Sequence, residues 1–137
     1  MLSIYVSLFI VLVAFSAFFS SAETSLISLD KIKLAHKVKR KNKKAVLLSG
    51  ILKSPDEFFS TILIGNNLVN IAAASISTLV FAKLIRLNEN LVLLISTACT
   101  TVVILFFAEV IPKTYAFRFS EKLSYLYAYP VHFFKIL

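Results

Sequence analysis

The chain has 137 residues, 58% of them hydrophobic, a mean hydropathy of +0.85 and a formal net charge of +8. That is too apolar for the soluble core of one small domain, and a single cysteine, Cys99, excludes a disulfide framework and cysteine-based metal sites. The charge is uneven: nine of the fifteen Lys and Arg lie between Lys31 and Lys53, and residues 1–30 contain none.

Three uncharged stretches follow one another: Leu2 to Ala22, Phe58 to Ala82, and Leu91 to Ala108 continued through Glu109 to Ile111. The first two hold 21 and 25 residues. At about 1.5 Å per residue each crosses a hydrocarbon core of about 30 Å. The chain therefore reads as an all-α membrane protein with transmembrane helices at about 2–22, 58–82 and 91–111. The basic cluster places Lys31–Lys53 in the cytoplasm and the N-terminus outside, in a plasma (inner) membrane. The turn from Lys83 to Asn90 then lies outside, and the tail after Pro112, with Lys113, Arg118, Lys122 and Lys135, returns inside. Topology and attraction to anionic lipid explain the basic run, so no nucleic-acid partner is expected.

The first span carries Ser16, Ser20 and Ser21, followed by Glu23, Thr24 and Ser25. Ser16 and Ser20 are four apart and share a helix face. For Ser16 the simpler reading is a bond to its own backbone or close helix packing. Ser20-Ser21-Ala22 resembles a signal cleavage site, but the positive n-region of a signal peptide is missing, so the segment is read as retained. From about 28 to 53 the pattern is amphipathic and nearly continuous in charge from Lys39 to Lys44. It predicts two short helices against the inner leaflet, joined around Lys41-Asn42-Lys43, with His36 solvated among the lysines.

Ser54-Pro55-Asp56-Glu57 starts the second span with an N-cap, a proline at the first helical position and acids in the first turn. Gly65-Asn66-Asn67-Leu68-Val69-Asn70 then falls near mid-membrane. Asn70 can share a face with Asn66 or with Asn67, and Gly65 lets another backbone approach. An amide clamp between helices explains one such residue; three within five residues favour a polar cavity. Ser96, Thr97, Thr100 and Thr101 in the third span read as packing hydroxyls.

Glu109-Val110-Ile111-Pro112-Lys113 closes that span. A carboxylate at the edge of a hydrocarbon-length segment is costly and faces protein or water. Pro112 removes one backbone donor and frees the carbonyl about four residues back, at Ala108. The plainer alternative is an ion pair between Glu109 and Lys113, with Pro112 ending the helix. Beyond it, Thr114 to Lys122 reads as a polar cytoplasmic stretch, and about 119–137 as an interfacial helix interrupted by Pro130.

Hydroxyls, amide oxygens, one carboxylate and a freed carbonyl can thus line one inward-facing pocket. An all-oxygen donor set suits Mg²⁺, Ca²⁺ or an alkali cation rather than zinc or copper. No enzyme is expected: the spans contain neither paired aspartates nor a Ser–His arrangement, and His36 and His132 lie outside them.

Phe19-Ser20-Ser21-Ala22-Glu23-Thr24 with Ser28, Ile64 to Asn70, and Glu109 to Lys113 resemble, in order and spacing, the three signature stretches of the cyclin M / CorB–CorC transmembrane domain. The resemblance covers essentially residues 1–137. It implies a homodimer of three-span subunits with cytosolic juxtamembrane helices, and Mg²⁺ export coupled to Na⁺. It also implies a Mg²⁺ site from Ser20 and Ser25, Asn66 or Asn70, and Glu109, with Pro112 and Lys113 shaping the bend. Two departures stand out. The family usually has glycine where Ser21 and Ala108 stand, and its members usually continue into cytosolic CBS domains that bind ATP, which these residues do not include. The alternative function is a membrane anchor or sensor module that transports nothing, with the asparagines as a dimer clamp.

Overall fold

The structure, a computed structural model, describes residues 1–86 and 88–136. Leu87, in the turn expected outside, and Leu137, at the end of the expected interfacial helix, lie outside the described residues. The elements run α1 (Leu2–Ile27), α2 (Lys31–Lys39), α3 (Lys43–Leu52), α4 (Pro55–Leu84), α5 (Glu89–Val103), a π-helical segment (Ile104–Val110), α6 (Ile111–Arg118) and α7 (Ser120–Ile136). No strand occurs among the described residues.

Local chemistry sets the boundaries. The Asp30 carboxylate accepts the Ile32 and Lys33 N–H groups and caps α2, while the Asn42 side chain accepts from Ala45 N and caps α3. Between them Lys41 adopts φ 60°, the left-handed residue that turns one helix into the next. Asn88 caps α5 through Asn90 N, and Pro55 opens α4 with Asp56 and Glu57 in its first turn.

Three helical rods are long and apolar enough to cross a membrane: α1, α4, and Glu89–Arg118, which joins α5, the π segment and α6. Each outruns its expected span. Hydropathy marks only the part that matches hydrocarbon, whereas backbone bonding carries α1 on to Ile27 and the third rod to Arg118. Pro112 therefore does not end its helix, and the expected polar stretch from Thr114 is mostly α6. Pro130 likewise sits inside α7 without breaking it. Tertiary packing holds that helix, because Ala128 and Val131 beside the proline are buried in the core.

The core lies off-centre, around the cytoplasmic half of α1 under the orientation expected from charge. Phe19, Ala22 and Leu26 of α1 meet Leu34 of α2, Ala45, Leu48 and Ile51 of α3, Phe58 and Ile62 of α4, and α7. The outer half of α1 presents Ile4, Ile10 and Val11 outward, as a lipid-facing helix does.

Polar ties fasten α7 to this end. Ser124 Oγ donates to the Ser25 carbonyl at 2.8 Å, and Ser120 Oγ to the Ser28 carbonyl at 3.3 Å. Lys37 Nζ bonds Glu121 Oε1 at 3.0 Å and lies 4.3 Å from the centre of the Tyr125 ring. The bond to Glu121 holds the Lys37 ammonium above its ordinary pKa, and burial does the same to the Tyr125 phenol.

Candidate cation site

Ser16, fully buried on α1, faces two amides of α4: its Oγ lies 2.9 Å from Asn66 Oδ1 and 2.7 Å from Asn70 Oδ1. Asn66 and Asn70 stand one turn apart on one face of α4. Asn67 is exposed, so of the two pairings open to Asn70 the one with Asn66 is built into this cluster. A serine hydroxyl carries one hydrogen. Of two carbonyl oxygens brought to it, one is left without that donor and is available to a cation or to another hydrogen-bond donor.

One turn further along the same face, Ser20 is also fully buried. Its Oγ is the one buried side-chain polar atom without a hydrogen-bond partner among the described residues. Buried hydroxyls that bond nothing are rare and call for an explanation, an ion being one.

Gly65 directly precedes Asn66 on α4, and what approaches it is a ring rather than a backbone. A Cβ added there would lie 2.9 Å from Phe19 Cζ. Phe19 is itself only 4% exposed and meets Phe134 edge to face with ring centres 5.2 Å apart, so it has little room to yield.

The remaining serines of the first motif point elsewhere. Ser25 Oγ bonds the Ala22 carbonyl of its own helix at 3.1 Å, and its backbone is held by α7. Ser21 Oγ is 3.1 Å from the Phe18 carbonyl and 3.0 Å from the Tyr127 hydroxyl. Beside that pair a cavity of about 400 Å³ opens between α1, α6 and α7, with Pro112 and Tyr115 on its far wall.

Glu109 lies half-buried within the π segment, which packs on α1 with Ala108 fully buried. Among the described residues the one ion pair is Lys37–Glu121. Glu109 therefore does not pair with Lys113, which is exposed. The Ile111 N–H bonds the Phe106 carbonyl, five residues back. Continued by one residue, that register sets the Phe107 carbonyl opposite Pro112, which has no N–H to give. An α-helical register would instead have placed the freed carbonyl at Ala108. Single π turns inside α-helices recur at functional sites.

No three His, Cys, Asp or Glu side chains come together among the described residues. The structure gathers Ser16, Asn66 and Asn70, with Ser20 one turn away on α1, and no hydrogen bond among the described residues joins the Glu109 carboxylate to them. The oxygens brought together are neutral, of the kind a hard cation takes. Ser16 is the residue that sequence reasoning assigned to packing. Its signal was available: a four-residue offset from Ser20 and a depth matching Asn70. Away from this cluster, the hydroxyls of Ser77 and Thr100 bond one another and join α4 to α5, in keeping with a packing role for Thr100.

Residues 7–137 match the family model described as the cyclin M transmembrane N-terminal domain. The chain is 42% identical over 110 residues to the UPF0053 inner membrane protein YfjD of Escherichia coli, covering 80% of this chain and 25% of that protein. It is 41% identical over 122 residues to a UPF0053 protein of Haemophilus influenzae, covering 87% and 28%. A Synechocystis UPF0053 protein, sll1254, is 29% identical over 137 residues, covering 100% of this chain and 38% of the relative. The chain thus spans about a quarter of the length of the first two relatives.

Proposed function

We propose that this chain, which belongs to the cyclin M transmembrane-domain family, is the membrane part of a divalent-cation transporter that exports Mg²⁺. The observation that carries the reading is the fully buried Ser20 hydroxyl with no partner, one turn from the Ser16–Asn66–Asn70 cluster. Burial without a bond costs about 1–3 kcal/mol, which a bound cation offsets.

In this reading Glu109 supplies the charge, and the Ser and Asn oxygens replace part of the ion's water. Pro112 and the π segment give the third rod a hinge by which Glu109 moves relative to α1. A single carboxylate keeps affinity low enough for the ion to leave. Ser25 belongs to the α7 tie rather than to the ion, and Lys113 to the cytosolic rim. Export with Na⁺ as coupling ion, a homodimeric assembly, the N-terminus outside and the absence of enzymatic chemistry complete the proposal.

A second reading has one observation in its favour. Rotating the Asn66 or Asn70 amide lets its NH₂ donate to Ser16 Oγ, which satisfies the cluster as a helix clamp without any ion. The domain is then an anchor or sensor module. Mg²⁺ calorimetry on the purified chain in detergent separates the two, run beside Glu109→Gln and Asn70→Leu. The transporter reading expects saturable binding lost in both variants while the oligomer survives. A folded wild type that binds no Mg²⁺, or a Glu109→Gln variant that binds as wild type, overturns it.

A further inference from the structure

The α2–α3 hairpin carries nine cations from Lys31 to Lys53 and no acid. Of these nine only Lys37 has an acidic partner among the described residues, Glu121. α2 starts four residues after α1 ends, so this charge is held at the membrane boundary. The two helices bury Leu34, Ala45, Leu48 and Ile51 in the core, which fixes the faces they turn outward.

On the outward face of α2 the charge is not alone. Ile32 is 83% exposed and lies between Lys31 and Lys33, with exposed Ala35 one turn on. Its position is imposed rather than incidental, because the Asp30 carboxylate bonds the Ile32 and Lys33 N–H groups and locks the first turn. Between α2 and α3 a notch of about 240 Å³ is rimmed by Lys31 and Lys53, with Ser49, Ala35 and Leu52 on its walls.

We infer that this hairpin is a docking surface for anionic phospholipid headgroups of the adjoining leaflet, with the Lys31–Lys53 notch as headgroup seat and Ile32 as its apolar anchor. Positive charge alone would serve a nucleic acid as well. A bulky aliphatic side chain displayed among the lysines does not suit a phosphate backbone in water. It does suit the boundary of headgroup and acyl chain, where an amphipathic helix lays its apolar residues below its lysines. The notch adds two ammonium groups and a hydroxyl around space for a phosphate. Charge on the leaflet then sets how firmly the hairpin is seated, and through the shared core how the cytoplasmic end of α1 is held. This inference is independent of the cation reading.

The test uses the full chain in nanodiscs, with His36→Cys in a Cys99→Ser background and a fluorophore on the new thiol; His36 is exposed on α2 and lies outside the notch wall. Spin-labelled phosphatidylglycerol and spin-labelled phosphatidylcholine are compared as quenchers at equal mole fraction. Stronger quenching by the anionic lipid is expected. That preference should disappear in about 1 M salt, where the Debye length falls to about 3 Å, and with Lys31→Gln/Lys53→Gln. Ile32→Glu should lower quenching by both lipids. Equal quenching by the two headgroups overturns the proposal, as does a fluorophore quenched by neither lipid but shielded by added RNA.

Discussion

Ser16 and Ser20 are one turn apart on the same helix, equally buried, and in opposite situations. Ser16 donates into a two-amide cluster; Ser20 bonds nothing. Their alanine variants should therefore separate stability from ion binding. Ser16→Ala strips the cluster of its hydrogen, and hydrogen bonds between membrane helices are worth about 0.6 kcal/mol on average and up to about 1.7. It should lower thermal stability by that modest amount and weaken Mg²⁺ binding as well. Ser20→Ala removes an oxygen that the folded chain does not use. Its melting temperature should hold or rise, while Mg²⁺ affinity falls about tenfold, the equivalent of about 1.4 kcal/mol. Thermal melts and calorimetry on the two variants check both statements. Wild-type affinity in Ser20→Ala would remove Ser20 from the site and with it the observation on which the cation reading rests.

At the scale of elements, the π segment and α7 decide how the site is framed. Pro112 lacks the N–H that an uninterrupted helix requires, and the five-residue spacing from Ile111 back to Phe106 absorbs the misfit. Pro112→Ala restores the donor, so the register should tighten towards α and draw Glu109 round the helix axis. Thermal stability should rise, by no more than the ~3 kcal/mol that proline costs in a helix interior, and Mg²⁺ affinity should drop. An unchanged affinity would show that the irregular backbone is not needed for binding. The docking of α7 depends on pH in a different way. Lys37 and Tyr125 both have raised pKa values in the fold. A raised value means stability that is complete below the unfolded pKa and lost as pH climbs through the folded one. Both groups therefore loosen α7 on the alkaline side, above about pH 10. Melting temperatures from about pH 8 to about 11 should fall less steeply in Glu121→Gln, which has already lost the Lys37 contribution. The effect is small because the pair is well exposed.

For the whole molecule, hydropathy made the three rods and their order legible, because a membrane span is a one-dimensional signal of length and apolarity. The motif spacing made the Ser–Asn meeting of α1 and α4 legible only in outline. Which asparagine turns to Ser16 depends on the rotation of α4: the spacing let Asn70 share a face with Asn66 or with Asn67, and only the packing leaves the amide at 67 exposed and those at 66 and 70 half-buried. The π register was hidden for a similar reason: proline announces a missing donor, but only neighbouring contacts decide whether the helix stops, kinks or widens. The course of α7 through Pro130 is also a tertiary outcome, fixed by Ala128 and Val131 in the core.

Orientation in the membrane is a property of the whole chain, since it follows from the charge contrast between its connections. Nine basic residues between α1 and α4 stand against Lys83 and Arg86 on the opposite side. That excess should hold residues 31–53 in the cytoplasm even when one position there is changed. His36 and Asn90 are both exposed and lie at opposite ends of the rods, so each reports one side. In a Cys99→Ser background, Asn90→Cys should react with an impermeant maleimide on intact cells, and His36→Cys only after the membrane is opened. The reverse pattern would turn the molecule over. Glu109 would then face the outer leaflet, and the same oxygens that have been read as taking Mg²⁺ from the cytoplasm would have to receive it from outside.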